Sequence, residues 1–231
     1  MHRTRSEKNM TGRFANNTVL VVGGTHRLGA AIAAAADAED AHVTVSSHAP
    51  RDERTLRIDL RDEASVAAAA QRIGPIDHLI STASMTYSAP IREMELSRVQ
   101  EAIAAKITGP LLLAKHFQIR HSLTLFSGQV AWRPGSGSYA TGITNGAVAF
   151  AAQHLAAELA PVRVNAISPG IIDSGLWDAR GAEKATFLTA AASRTLVGGT
   201  GTVQDIVDAV LWIMSAPFFT GETLRVDGGR R

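Results

Sequence analysis

Between a β-branched run at residues 18–22 and an alanine-rich stretch stands Val22-Gly23-Gly24-Thr25-His26-Arg27-Leu28-Gly29. Glycines let backbone approach a ligand closely. A helix starting there aims unpaired N–H groups and the positive end of its dipole at the same point. The chemistry that suits this arrangement is the holding of a pyrophosphate, although a plain strand-to-helix turn also uses glycines. Further along, Ser127, Tyr139, Thr141, Asn145 and Lys106 offer hydroxyls, a phenol, an amide and an amine. The chain has no cysteine, which excludes thiolate nucleophiles, disulfides and Cys-based metal sites. Its eight histidines are scattered, and His116 and His121 lack the spacing of a two-ligand helix face, so no metal site is expected.

The elements that must position these groups follow from hydrophobic periodicity. Strands are predicted at residues 18–22, 42–46, 56–60, 77–81, 122–127, 162–167 and 222–226. Helices are predicted at 28–40, 62–72, 96–116, 144–159 and 203–214. Residues 170–201, rich in Ala, Gly and Thr, read as a long loop capping the site. Strands alternating with helices imply parallel pairing with right-handed crossovers. The fold class is therefore α/β: a single Rossmann-type, doubly wound parallel sheet flanked by helices. Its ligand crevice should lie beyond the carboxyl ends of the strands. Residues 1–17 read as a flexible N-terminal tail and 18–231 as one domain.

With 231 residues, 45% hydrophobic and 19% charged, the chain has the composition of an ordinary globular domain. The net charge is +2, with Lys and Arg scattered, so no nucleic-acid partner is expected. No apolar run is long enough to span a bilayer, and the polar N-terminus does not read as a secretory signal. A cytoplasmic location, no membrane partner and a small-molecule substrate are the expectations.

Over nearly its whole length the chain resembles the short-chain dehydrogenase/reductase family. That family's phosphate loop is T-G-x-x-x-G-x-G. Here Val22 replaces the Thr, Gly23 and Gly29 match the outer glycines, and Arg27 replaces the middle one. Arg27 either clasps a phosphate through its planar fork or obstructs the loop. By the resemblance, the cofactor residues are Gly23, Thr25, His26, Arg27, Leu28, Gly29, His48, Asp59, Leu60, Ala83, Pro169, Gly170 and Ser174. Asp59 corresponds to the carboxylate that accepts from the adenine amino group, and Leu60 to the residue lining the ring. Ala83 is the one match to N-N-A-G, within Ser81-Thr82-Ala83-Ser84. Ser174 stands at the carboxamide-binding Thr. Ser47-His48 stands where NAD-preferring members carry an acid. With His26, Arg27 and His48 close by, the resemblance implies NADP(H) rather than NAD(H).

The catalytic positions depart from the pattern. The helix running to Leu155-Ala156-Ala157-Glu158-Leu159 sets the register. The catalytic Tyr falls on Thr141, the Lys on Asn145, the Ser on Gly128 beside Ser127, and the helix Asn on Lys106. Tyr139 lies two residues early, and its fourth neighbour is Ile143, so Y-x-x-x-K is absent in either register. A Thr hydroxyl is no acid near neutral pH and an Asn carries no charge. Tyr139, Tyr87, Lys106 and Asp173 are the candidate replacement proton donors. Beyond this gap the match resumes, with Arg163-Val164-Asn165-Ala166-Ile167-Ser168-Pro169-Gly170 and the closing Thr220-Gly221-Glu222-Thr223-Leu224-Arg225-Val226-Asp227-Gly228-Gly229. Trp132 and Trp177 are expected to flank the cleft.

Three functions fit. The first is an NADP(H)-binding oxidoreductase of a carbonyl/alcohol substrate with a non-standard proton donor. The second is a catalytically silent subunit in a hetero-oligomer with an active relative. The third is a non-redox enzyme or ligand sensor using the same cleft. The resemblance further implies a homo-oligomer, dimer or tetramer, built on the helices at 96–116 and 144–159.

Overall fold

The computed structural model describes residues 11–229. Seven parallel strands form one sheet in the order β3-β2-β1-β4-β5-β6-β7. They are β1 (Thr18–Val22), β2 (His42–Ser47), β3 (Leu56–Arg57), β4 (Ile76–Ser81), β5 (Ile119–Phe126), β6 (Arg163–Pro169) and β7 (Thr223–Val226). The helices are α1 (Arg27–Ala38), α2 (Glu63–Ile73), α3 (Leu96–Ile103), α4 (Gly109–His116), α5 (Tyr139–Glu158), α6 (Lys184–Ala192) and α7 (Val203–Ser215). Among the described residues, no helix is long and apolar enough to cross a membrane.

Strand alternation makes two cores, one on each face of the sheet. Leu20 and Val22 of β1 join Val66 of α2, Leu113 of α4 and Val148 of α5. Val19 and Val21 point the other way, to Ile32 and Ala36 of α1 and Ile206 and Val210 of α7. The strand order reverses between β1 and β4, which opens the crevice at their carboxyl ends.

Several elements differ from the sequence reading. The third strand ends at Arg57, because the Asp59 N–H turns away to the Ser65 hydroxyl at 2.9 Å. The single helix expected at 96–116 is interrupted by a π-helical segment, Ala104–Thr108. Pro110 is the local cause: it has no N–H to give the Lys106 carbonyl. The turn widens, and the Gly109 N–H bonds the Ala104 carbonyl, five residues back. Gly109 itself is needed, since a β-carbon there would lie 2.6 Å from Leu60 Cβ. Helix α5 starts at Tyr139, five residues before the expected 144.

The loop at 170–201 contains a 3₁₀ segment, Asp178–Glu183, and α6. Its own side chains order it. Trp177 and Phe187 meet at 4.7 Å, Arg180 lies over Phe187 at 4.1 Å, and Lys184 pairs with Asp173 and Asp178. Part of the expected tail is packed as well. Phe14 is buried in the α1/α7 core and its N–H bonds the Glu39 carbonyl. The rest of that tail, residues 1–10, lies outside the described residues.

Candidate active site

A cleft of about 540 Å³ opens at the carboxyl ends of the strands. The phosphate loop, the loop after β4, the end of β5, α5 and the segment after β6 wall it. An adjoining cavity of about 270 Å³ continues past Thr25 and His48 to Asp59 and Leu60. Of the cofactor positions read from sequence, His26, Arg27, Leu28, Gly170 and Ser174 line the cleft, and Thr25, Asp59 and Leu60 line the cavity. Gly23, His26, His48 and Ala83 border both, and Gly29 and Pro169 border the cleft.

The loop fits a diphosphate. Gly23 holds φ +78, a left-handed conformation that favours glycine. A β-carbon on Gly29 would lie 2.2 Å from the Gly23 carbonyl oxygen. The N-cap residue of α1, His26, makes no side-chain cap, which leaves the first-turn N–H groups open to an anion. Thr82, missed in the sequence reading, fastens the loop: its hydroxyl is shared between the Val22 and Gly23 carbonyls, at 3.1 and 3.3 Å. Arg27 carries its side chain at φ +48, at the position that the resemblance matches to the family's middle glycine.

At the far end of the adjoining cavity, Arg61 holds Asp59 with Nε–Oδ1 at 2.9 Å and an Nη2–Oδ2 contact of 2.8 Å. This hydrogen-bonded cation draws the Asp59 pKa down to about 2. Arg61 was not singled out from the sequence. An arginine two residues past the strand-end aspartate was the available signal.

The catalytic half is differently organised from expectation. The Ser127 hydroxyl donates to the Asn145 carbonyl at 2.8 Å. The Thr141 hydroxyl donates to the Tyr87 carbonyl at 2.9 Å and accepts from the Tyr87 N–H at 3.2 Å. Both hydroxyls serve backbone. Tyr139 does not line the cleft. Helical geometry explains this, since residues 141 and 145 share one face and 139 is turned about 200° from 141. Its buried hydroxyl has no partner, and desolvation raises its pKa. Tyr87 is buried, with its hydroxyl accepting from the Glu95 N–H at 2.9 Å. Asp173 is paired to Lys184 at 2.8 Å.

Lys106 and Asn145 do meet at the cleft, and both are buried. Lys106 comes from the widened turn, and its Nζ donates to the Phe126 carbonyl at the end of β5. Desolvation lowers its pKa to about 8. Asn145 packs against Gly128. Gln129, which sequence reasoning overlooked, also borders the cleft, with a buried side-chain oxygen that has no partner. Trp177 and Leu176 form the outer wall, the Trp177 indole N–H bonding the Ile172 carbonyl at 2.9 Å. Trp132 is outside the wall, donating to the Ser168 hydroxyl at 3.1 Å.

Comparison with known proteins agrees with this architecture. Residues 21–231 match the family described as enoyl-(acyl carrier protein) reductase. The short-chain dehydrogenase/reductase ucsE of Acremonium sp is 32% identical, over 94% of this chain and 96% of its own. The cis-4-hydroxycyclohexanecarboxylate dehydrogenase of Sinomonas cyclohexanicum is 30% identical, over 94% and 97%. A crystal structure of a small-chain dehydrogenase in complex with NADPH superposes with a TM-score of 0.83 at 31% identity, covering 93% of this chain and 98% of that one. A seven-stranded parallel sheet, a glycine cradle at its switch point and these matches together place the chain in the short-chain dehydrogenase/reductase family of oxidoreductases.

Proposed function

We propose that this chain binds NADP(H) along the cleft and interconverts a carbonyl and an alcohol with a proton donor other than tyrosine. The observation that carries the reading is the intact cradle of Gly23 and Gly29 under an uncapped helix start. When bound, the nicotinamide supplies or accepts the hydride. Gly23, Thr25, His26, Arg27, Leu28 and Gly29 would hold the phosphates. His48, Asp59 and Leu60 would hold the adenosine. Ala83, Pro169, Gly170 and Ser174 would seat the nicotinamide and its ribose. The preference for NADP(H) rests on charge. No carboxylate follows β2, where Ser47-His48 stands, and His26, Arg27 and His48 border the cleft. At that position a 2′-phosphate would meet the Arg27 guanidinium and two imidazoles instead of an acid.

The test is a fluorescence titration with NADPH and NADH. Tighter binding of NADPH is expected. Equal or reversed affinities would remove the charge argument, and binding of neither would remove the oxidoreductase reading.

A second reading is favoured by the backbone-tied hydroxyls of Ser127 and Thr141: a silent subunit that assembles with an active relative. A stable homo-oligomer that turns over a ketone would eliminate it. For assembly we propose the outer faces of α3, α4 and α5. Ile143 and Phe150 are 67% and 65% exposed there, and Ile103 and Leu111 are exposed beside them. Such apolar surface suits a homo-oligomeric contact.

A further inference from the structure

Lys106 is 4% exposed. An ammonium has three donors, and one of them is used, on the Phe126 carbonyl. None of the ion pairs among the described residues includes Lys106. A lone buried cation is costly to hold and marks a functional candidate when it borders a cleft. The groups around it are uncharged: Thr141 and Asn145 from α5, Ser127 and Gln129 from the end of β5. The other titratable groups of the cleft, His26, Arg27 and His48, belong to the phosphate loop and the end of β2. The π-helical turn that carries Lys106 is also a feature that recurs at functional sites.

Resting on the oxidoreductase reading above, we propose that the Lys106 ammonium is the proton source for the carbonyl oxygen of the substrate. Hydride reaches the carbonyl carbon, and the π pair of the C=O bond moves to oxygen. The dihydronicotinamide is oxidised and the carbonyl reduced. One N–H bond of Lys106 breaks and an O–H bond forms, giving the alcohol and a neutral amine. Water in the cleft returns the proton to the amine. In alcohol oxidation the neutral amine takes the hydroxyl proton. The Phe126 carbonyl accepts from the nitrogen in either state and keeps it in place. Burial brings the lysine to about 8, so both forms exist near neutral pH, as a general acid requires.

The chain has four lysines, Lys8, Lys106, Lys115 and Lys184. Nitrogen NMR of ¹⁵N-lysine protein therefore identifies Lys106 as the signal missing in Lys106→Met. Its midpoint is expected near 8 and should fall when NADP⁺ is added, because the cationic nicotinamide ring opposes the ammonium. A midpoint at the ordinary lysine value of about 10.4 overturns the proposal. So does a midpoint that ignores NADP⁺ while nucleotide fluorescence reports binding. Failure to bind NADPH at all overturns the oxidoreductase reading instead.

NADPH consumption with a panel of aliphatic and aromatic ketones is the second arm. Reduction should fall as pH rises through about 8, and Lys106→Met should be ~10²-fold slower or worse, without that pH limb. Lys106→Arg keeps the charge but releases no proton in this range. It should bind NADPH and be as slow as Lys106→Met. Native rates in either variant, or bound NADPH with no ketone turned over by the native protein, would also overturn it.

Discussion

A β-carbon on Gly128 would lie 2.9 Å from the side-chain nitrogen of Asn145. Gly128 has φ 176 and ψ 155, an extended backbone open to any residue. The restriction is therefore steric, and the glycine and the asparagine fit each other as a pair. By the resemblance drawn from the sequence, these two places correspond to the family's serine and lysine.

Gly128→Ser should destabilise the protein by about 1–2 kcal/mol, the usual cost of overpacking. Asn145→Ala should relieve much of it. A double-mutant cycle by urea denaturation is expected to give a coupling above about 0.5 kcal/mol. Simple additivity of the two changes would show that the contact is relaxed elsewhere.

Arg27 holds a left-handed conformation at φ +48, which costs a side-chain-bearing residue about 1–2 kcal/mol. Arg27→Gly should raise stability by about 1 kcal/mol once the greater freedom of unfolded glycine is subtracted. NADPH affinity should fall about tenfold, the worth of one charge-assisted hydrogen bond. Thermal melts and a fluorescence titration read the two effects separately. Unchanged or tighter binding would mean that the side chain obstructs the loop.

Lys106 sets a pH dependence of stability. Its folded pKa, about 8, lies below the ordinary value of 10.5. The charged form is thus penalised in the folded state. Stability is highest above 10.5 and is lost as pH falls through 8. The penalty below pH 8 is on the order of 3 kcal/mol. Lys106→Met removes it but leaves the Phe126 carbonyl without a donor, at a cost of about 1 kcal/mol. At pH 7 the variant should be more stable by about 2 kcal/mol, with the advantage vanishing between pH 8 and 10.5 and becoming a deficit of about 1 kcal/mol above that range. Urea midpoints across pH 7–10.5 measure this, and a constant gap would refute it.

Arg61 sets the opposite case in the adjoining cavity. It holds the Asp59 pKa at about 2, below the usual carboxylate value, so the pair stabilises above pH 4 and is lost as pH falls toward 2. The Arg61 side chain is 41% exposed, and solvent screening keeps the effect within about 1 kcal/mol. Arg61→Gln should return Asp59 to the ordinary carboxylate range. Carbon NMR of the Asp59 carboxyl would report the change.

Phe150→Glu places a charge on the apolar face of α5. The variant should run as a monomer in light scattering while its circular dichroism matches the native protein. An unchanged assembly would move the interface elsewhere.

The order of elements, the parallel sheet and the position of the phosphate loop were legible in the sequence, because they depend on local periodicity and glycine spacing. Every strand expected was found, within a few residues. So were Gly23, Gly29 and Asp59 at one crevice, since a doubly wound sheet brings the ends of its strands together whatever the side chains. Tertiary structure alone decided which candidate donors reach that crevice. Tyr139 and Asp173 do not line it, whereas Ser127 and Thr141 do, their hydroxyls bonded to backbone carbonyls distant in sequence. Lys106 gained its place from a widened turn at Pro110 and from burial beneath the end of β5. Residue type and spacing determined what each group can do chemically. Whether it is free and desolvated enough to do it depends on contacts from remote parts of the chain, which local spacing does not encode.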